Sequence, residues 1–146
     1  FEGRDQTSRR SNQETVLMAV VSLVTANLLL RLCNVIYFRP RPFYSHSVNI
    51  LFYYPTDSSL PSNAATVGFS LAMSIWLNNR KAGVAYFLSA LLFGFSRIFC
   101  GVHFPGDILA GLLLGGGLAY ILSLQRHRLD PLFSFIFSIA RRLYLA

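Results

Sequence analysis

Three ionisable side chains sit within an otherwise apolar stretch, Ser96-Arg97-Ile98-Phe99-Cys100-Gly101-Val102-His103-Phe104-Pro105-Gly106-Asp107. Charge is costly in such a setting, so function is the default reading for Arg97, His103 and Asp107. Arg97 offers a planar fork of donors that suits a phosphate. His103 is a nucleophile or base able to work near neutral pH. Asp107, four residues on, is placed to hold the imidazole in its reactive tautomer. The alternative for this stretch alone is an arginine at a helix end, a satisfied histidine and an aspartate cap.

The composition says what must position these groups. Of 146 residues, 53% are hydrophobic and only 13% charged, with a mean hydropathy of +0.47. A water-soluble domain carries about 25% charged residues. The deficit points to a membrane. The net charge of +7 then reads as positive loops beside lipid headgroups, and no basic patch interleaved with aromatics speaks for nucleic acid. Cys33 and Cys100 are the two cysteines, too few for a disulfide framework or a zinc cluster. Both fall towards the same expected end of their helices, so a bridge is open to them, with free buried thiols the preferred state. The chain begins at Phe1 with polar and basic residues and nothing resembling a signal peptide. It reads as a single membrane-embedded domain over residues 1–146, with sequence expected upstream.

Along the chain the pattern predicts an all-α, polytopic transmembrane helix bundle of at least four spans. Residues 1–13 read as a cytoplasmic segment or short linker helix. Glu14 to about Phe38 is long enough to cross a hydrocarbon core of roughly 30 Å. Within it Asn27, Arg31 and Asn34 share one face, which should point into the bundle. Arg31 reads as a snorkelling or ion-paired side chain ahead of a substrate contact. Arg39-Pro40-Arg41-Pro42 ends the helix. The loop to Leu60 is rich in Tyr and Ser and includes His46, read as solvated, and Asp57. Tyr53 and Tyr54 suit a membrane interface.

Pro61-Ser62-Asn63 marks a helix start, and Ala64–Leu77 is a span short enough to need loop residues at membrane depth. After the polar turn Asn78-Asn79-Arg80-Lys81 come a third span, about Ala82–Phe99, and a fourth from Gly106-Asp107 to Leu124. Gly111, Gly115, Gly116 and Gly117 permit close helix contact, and Gly111/Gly115 has the GxxxG spacing also used for dimerisation. Beyond Gln125-Arg126-His127-Arg128, the run from Pro131 to Ala146 is too short to span. It is expected to lie as an interfacial helix on the cytoplasmic face. His127 sits among those charges and is assigned no function.

Positive charge at Arg9, Arg10, Arg80, Lys81, Arg126 and Arg128 places those turns inside. Residues 39–61 and 100–106 then meet on the opposite, outer face. That end collects Arg41, Ser62, Asn63, Arg97, His103 and Asp107, with Arg39 near. Two arginines, a hydroxyl and the N–H groups of a helix start make an oxyanion cradle. A histidine beside it suggests attack on phosphorus. No acidic cluster is spaced to hold magnesium, and no cofactor is implied. The inferred chemistry is metal-independent phosphoryl transfer through a phosphohistidine, followed by hydrolysis.

These residues resemble the type 2 phosphatidic acid phosphatase superfamily of membrane lipid phosphatases. Ser96, Arg97, His103 and Asp107 match its third motif completely; Arg41-Pro42 matches part of the first and Pro61-Ser62 part of the second. The resemblance covers roughly Asn27 to Leu124. It implies His103 as nucleophile, Asp107 as its orienting partner, and Arg41, Ser62, the Asn63 backbone and Arg97 as phosphate ligands. The runs Tyr37-Phe38-Arg39-Pro40-Arg41-Pro42-Phe43 and Gly94-Phe95-Ser96-Arg97-Ile98 are most similar to bacterial undecaprenyl pyrophosphate phosphatases. Such enzymes dephosphorylate a polyprenyl carrier on the outer face of the cytoplasmic membrane, recycling it for cell-wall synthesis. The expected partners are therefore a lipid phosphate substrate and membrane lipids.

Two departures stand out. The family lysine falls at Asn34, which is neutral, with Arg31 one turn below as a candidate to compensate. The family's second histidine, donor of a proton to the leaving oxygen, falls at Ala64. Alanine has no proton to give, and general acid catalysis is worth roughly 10²–10⁴-fold. The chain is therefore expected to be severely impaired. Three readings follow: a family enzyme carrying a His-to-Ala change, a non-catalytic relative that binds or moves lipid phosphates, or an enzyme limited to good leaving groups. Phosphatidylglycerophosphate and phosphatidic acid fit the site as well as a polyprenyl pyrophosphate. The membrane spans argue against a vanadate-dependent haloperoxidase, which shares the cradle.

Overall fold

The computed structural model describes residues 2–51 and 53–143. Among them the regular structure is all helical: α1 (Glu2–Ile36), α2 (Asn63–Asn78), α3 (Arg80–Phe99), α4 (Pro105–Leu124) and α5 (Arg126–Arg142), with one 3-10 turn at Pro42–Tyr44. Local chemistry explains the boundaries. The polar lead-in is not a separate segment but the first turns of α1. Its Arg, Gln and Glu residues favour helix, and Arg10 Nε pairs with Glu14 Oε1 at 3.0 Å in i,i+4 spacing. Pro40 and Pro42 stop α1 by removing N–H donors and restricting the residue before each.

Ser62 caps α2, its hydroxyl accepting from the Ala65 N–H at 3.5 Å. Asn79 is the whole link between α2 and α3: its N–H closes α2 on Ile75 O, and its side chain caps α3 through the Ala82 N–H. Gly101 ends the α3 turn with a φ of +71°, a conformation only glycine adopts cheaply. Pro105 then opens α4 at its first position, and Asp107 accepts the Phe104 N–H at 2.8 Å.

α2 is the central helix, touching α1, α3 and α4, and it packs most extensively on α4. Close approach requires glycine. A Cβ added at Gly115 would lie 2.0 Å from Thr66 O, and one at Gly111 would lie 2.6 Å from the Ala65 Cβ. The GxxxG spacing is thus used within the chain rather than left for a second copy. The inside is small and polar, with Ser22, Thr66, Ser70 and Ser74 buried. The outside is apolar, with Val16, Val20, Val24, Leu28 and Leu32 along α1 and Leu88, Leu91, Leu92 and Phe95 on α3 exposed. This inversion is what lipid demands.

Among the described residues, three helical segments are long and apolar enough to cross a membrane: 28 residues of α1 (Arg9–Ile36), α3 and α4. α2, the expected fourth span, has 16 residues, about 24 Å at 1.5 Å per residue. α5 starts at Arg126, five residues before the expected Pro131, which lies inside it. Residues 144–146 of the expected interfacial segment lie outside the described residues. Phe133 of α5 is buried, while Leu132, Phe135 and Ile139 are exposed. Cys33 and Cys100 are both free and half-buried.

The helix ends sort into two clusters. At one end Ser11 Oγ donates to Asn78 Oδ1 at 2.7 Å, and Arg126 pairs with Glu14. At the other, the α1–α2 and α3–α4 connections lie against each other, joined by Arg39, Arg41, Ser59, His103 and Asp107.

Candidate active site

The α1–α2 connection folds inward over α4. Ser62 N–H donates to Asp107 O at 3.0 Å, and Ser59 N–H to Arg39 O at 2.9 Å. Beside this seam lies a cavity of ≈ 360 Å³, whose walls include Arg41, Asp57, Asn63, Ala64, Arg97 and His103. Three separate parts of the chain therefore supply its polar groups.

His103 is buried, with both ring nitrogens occupied. Nε2 lies 3.2 Å from Nη1 of Arg41, and Nδ1 lies 3.0 Å from the carbonyl oxygen of Ser59. A guanidinium can only donate and a carbonyl can only accept. The network therefore assigns the neutral tautomer with the proton on Nδ1 and the lone pair on Nε2. That is the form in which Nε2 is a nucleophile.

Asp107 does not orient the ring in the expected way. Its Oδ2 lies 3.6 Å from Nδ1, beyond hydrogen-bond range, and the Ser59 carbonyl is the nearer partner. The carboxylate is instead a hub. Oδ1 accepts from Arg39 Nη1 at 2.7 Å, while Oδ2 accepts from the Ser59 hydroxyl and the Phe104 N–H. Asp107 thus reaches the imidazole through Ser59, whose hydroxyl donates to it and whose carbonyl accepts the Nδ1–H hydrogen bond.

Arg41, only 4% exposed, uses its whole fork. Nε donates to Asp57 O, Nη1 to Val102 O and towards His103, and Nη2 to Asp57 Oδ1 at 2.8 Å and Ser58 O at 3.4 Å. Arg97 lines the cavity from the last turn of α3, with its guanidinium 5.1 Å from the centre of the Phe93 ring. The backbone N–H groups of Asn63 and Ala64, first in α2, make no hydrogen bond to any described residue. They form the donor-rich end of a helix dipole.

The expected residues divide accordingly. Arg41, Asn63, Ala64, Arg97 and His103 share the cavity wall. Ser62 does not: it is fully buried, with its hydroxyl used as the α2 cap. Arg39 is spent on Asp107 and lies 4.5 Å over the Phe104 ring, away from the wall. Neither Arg31 nor Asn34 reaches the cavity. Arg31 is exposed, because α1 turns Ala26 and Leu30 inward, and the buried Asn34 Oδ1 has no hydrogen-bond partner among the described residues. Compensation of the missing lysine by Arg31 is therefore not supported by the geometry.

Sequence reasoning missed Ser59 and Asp57. The one available signal was polarity out of place: Asp57-Ser58-Ser59 directly precedes a helix start, and both serines are buried. Tyr53, expected in an interfacial belt, lines the cavity. Among the described residues no three His, Cys, Asp or Glu side chains gather as a metal-ligand set.

Comparison with known proteins gives the family. The chain is 34% identical to the undecaprenyl-diphosphatase BcrC of Bacillus subtilis over 103 residues, covering 70% of this chain and 53% of that protein. It is 32% identical to an undecaprenyl-diphosphatase of Sulfolobus acidocaldarius over 115 residues, covering 77% and 55%. The chain thus spans about half the length of these curated relatives. Its fold resembles the crystal structure of Aquifex aeolicus LpxE, with a TM-score of 0.69, 30% identity and coverage of 77% and 68%. It also resembles a PAP2-type phosphatidylglycerolphosphate phosphatase from Bacillus subtilis, with a TM-score of 0.56, 25% identity and coverage of 77% and 59%. The PAP2 superfamily model matches residues 15–131, nearly the whole bundle, and the chain belongs to that superfamily.

Proposed function

We propose that the chain is the catalytic core of a membrane lipid phosphatase acting on a polyprenyl pyrophosphate, undecaprenyl pyrophosphate in bacteria. The observation that carries this is the Nε2 lone pair of His103, held 3.2 Å from Arg41 on a cavity wall shared with Arg97 and the α2 N-terminus. In the proposed reaction Arg41 Nη1 turns from Nε2 to a phosphoryl oxygen, and the freed Nε2 lone pair attacks the terminal phosphorus. The P–O bond to the lipid breaks, and its electron pair leaves on the lipid phosphate oxygen. Arg41, Arg97 and the Asn63 and Ala64 N–H groups stabilise the charge gathering on the phosphoryl oxygens. The developing imidazolium keeps its Nδ1 proton and is stabilised by the hydrogen bond to the Ser59 carbonyl and by the Asp107 carboxylate behind it. Water then hydrolyses the phosphohistidine, releasing inorganic phosphate and restoring the ring.

Ala64 bears on the first step. It stands on the wall facing this chemistry, yet it can protonate nothing. An anhydride fits this deficit best, because a lipid monophosphate leaves with less need of a proton than an alkoxide. The names of the curated relatives point to the same substrate. The second reading is a lipid-phosphate binding or transport protein, favoured by the same alanine amid an otherwise complete cradle. Phosphatidylglycerophosphate and phosphatidic acid are the alternative ligands.

In this proposal α2 completes a fourth span with the loop before it, α5 lies on the cytoplasmic surface, and the cavity opens at the outer face. The test is metal-free phosphate release from a polyprenyl pyrophosphate by the chain and by Ala64→His. Restored acid catalysis is expected to raise turnover by about 10²-fold, the low end of general-acid gains because the anhydride leaving group needs less help, and His103→Ala should abolish it. Silence of both versions alongside retained lipid-phosphate binding would establish the binding protein instead.

A further inference from the structure

Asp57 is the only carboxylate among the lining residues of a cavity otherwise furnished with Arg41, Arg97 and His103. An acid in the wall of an anion site calls for an explanation. The Arg41 fork supplies one. It has five N–H groups, and all five are directed at acceptors: Asp57 O, Val102 O, His103 Nε2, Asp57 Oδ1 and Ser58 O. A phosphate can reach Arg41 only by displacing one of them. Three are main-chain carbonyls of the folded connections, and His103 Nε2 gives up its contact only in the attack on phosphorus itself. The Asp57 carboxylate is different, because its side chain is 60% exposed and held to Arg41 through Nη2 alone.

We propose that Asp57 is an intramolecular stand-in for the phosphate of the substrate. Its carboxylate neutralises the buried guanidinium between turnovers, and the phosphoryl group replaces it on Nη2. Arg41 is nearly inaccessible, and without an anion its charge would face only neutral acceptors, an expensive arrangement. The pair is open to solvent on the Asp57 side, so a dianion with more contacts can compete for Nη2 there. The main-chain oxygen of Asp57 keeps its hold on Nε meanwhile, so the side chain can swing out without releasing the loop. Its return also opposes retention of the product phosphate. Asp57 thereby sets phosphate affinity without contributing to the bond-breaking step.

The proposal rests on the phosphate-site reading, and the test separates the two. Inorganic phosphate is titrated against the full chain in detergent micelles, with the thermal unfolding midpoint as readout. Asp57→Asn keeps an acceptor for Nη2 but removes the competing charge, and its half-saturating phosphate concentration is expected to fall about fivefold. Asp57→Glu keeps the charge and should stay within about twofold of the parent. An Asp57→Asn chain that binds phosphate no more tightly than the parent, or a Glu variant that tightens equally, overturns the role of Asp57. Arg97→Ala isolates the other question. Loss of its phosphate response supports the site, whereas an undiminished response overturns the phosphate reading and the Asp57 proposal with it.

Discussion

A carboxylate removed wholly from solvent must be met by donors, and Asp107 is met by Arg39, Ser59 and Phe104. This distinguishes two arginines that look alike in the run Arg39-Pro40-Arg41. Arg41 lines the cavity. Arg39 supports the group behind it. In the Ala64→His background, Arg39→Gln is expected to lower kcat with little change in KM, because the glutamine leaves the His103 support short of charge but leaves the cavity wall intact. Arg97→Gln should instead raise KM. Loss of a donor to a buried anion also predicts a stability decrease of about 1–3 kcal/mol for Arg39→Gln, measurable by thermal unfolding. A rise in KM for Arg39→Gln matching that of Arg97→Gln would return Arg39 to the phosphate. Arg97, His103 and Asp107 could be picked out as candidates because their spacing is short-range, running from the last turn of α3 through the turn after it to the first turn of α4. Ser59 and Asp57 were not, since their roles depend on how a 26-residue connection, residues 37–62, threads back over α4, and no local pattern encodes that path.

Helices position these groups only as closely as their backbones approach. α4 carries Asp107 at its first turn, α2 carries Asn63 and Ala64 at its own, and the two helices meet through Gly111 and Gly115. Gly115→Ala would place a Cβ against Thr66 O, so one helix must move away from the other. The expected cost is about 1–3 kcal/mol of stability, accompanied by weaker phosphate protection, since the two cavity walls separate. Gly117→Ala is the matched control. Nothing lies within 4 Å of its added Cβ, so helix propensity alone acts, stabilising by up to about 1 kcal/mol. Equal unfolding midpoints for the two variants would mean that α2 and α4 are not locked at this contact. Helix existence was legible from apolar runs and from Pro40, Ser62, Asn79 and Pro105 at their ends. The start of α1 was not, because polar residues of high helix propensity continue a helix without any apolar signal. The partner of the GxxxG face was also beyond the sequence, as the same spacing serves a neighbour within the chain or a second copy.

The molecule as a whole is ordered along one axis. The candidate site lies where residues 37–62 and 100–106 meet, and the far end is bound by Ser11–Asn78 and Arg126–Glu14 contacts among the positive turns. Exposed Arg80 and Lys81 lie at that far end, while Ser47 is exposed at the site end. Positive turns are retained on the cytoplasmic side, so the axis should stand across the bilayer with the cavity outward. Single cysteines at Ser47 and Lys81, in a chain with Cys33→Ser and Cys100→Ser, test this directly. A membrane-impermeant maleimide applied to intact cells should label Ser47→Cys and leave Lys81→Cys unmodified until the membrane is opened. The reverse pattern would put the cavity in the cytoplasm and with it the substrate phosphate. Labelling of both sites in intact cells would show that the bundle does not stand across the membrane, and the four-span arrangement would fall with the orientation.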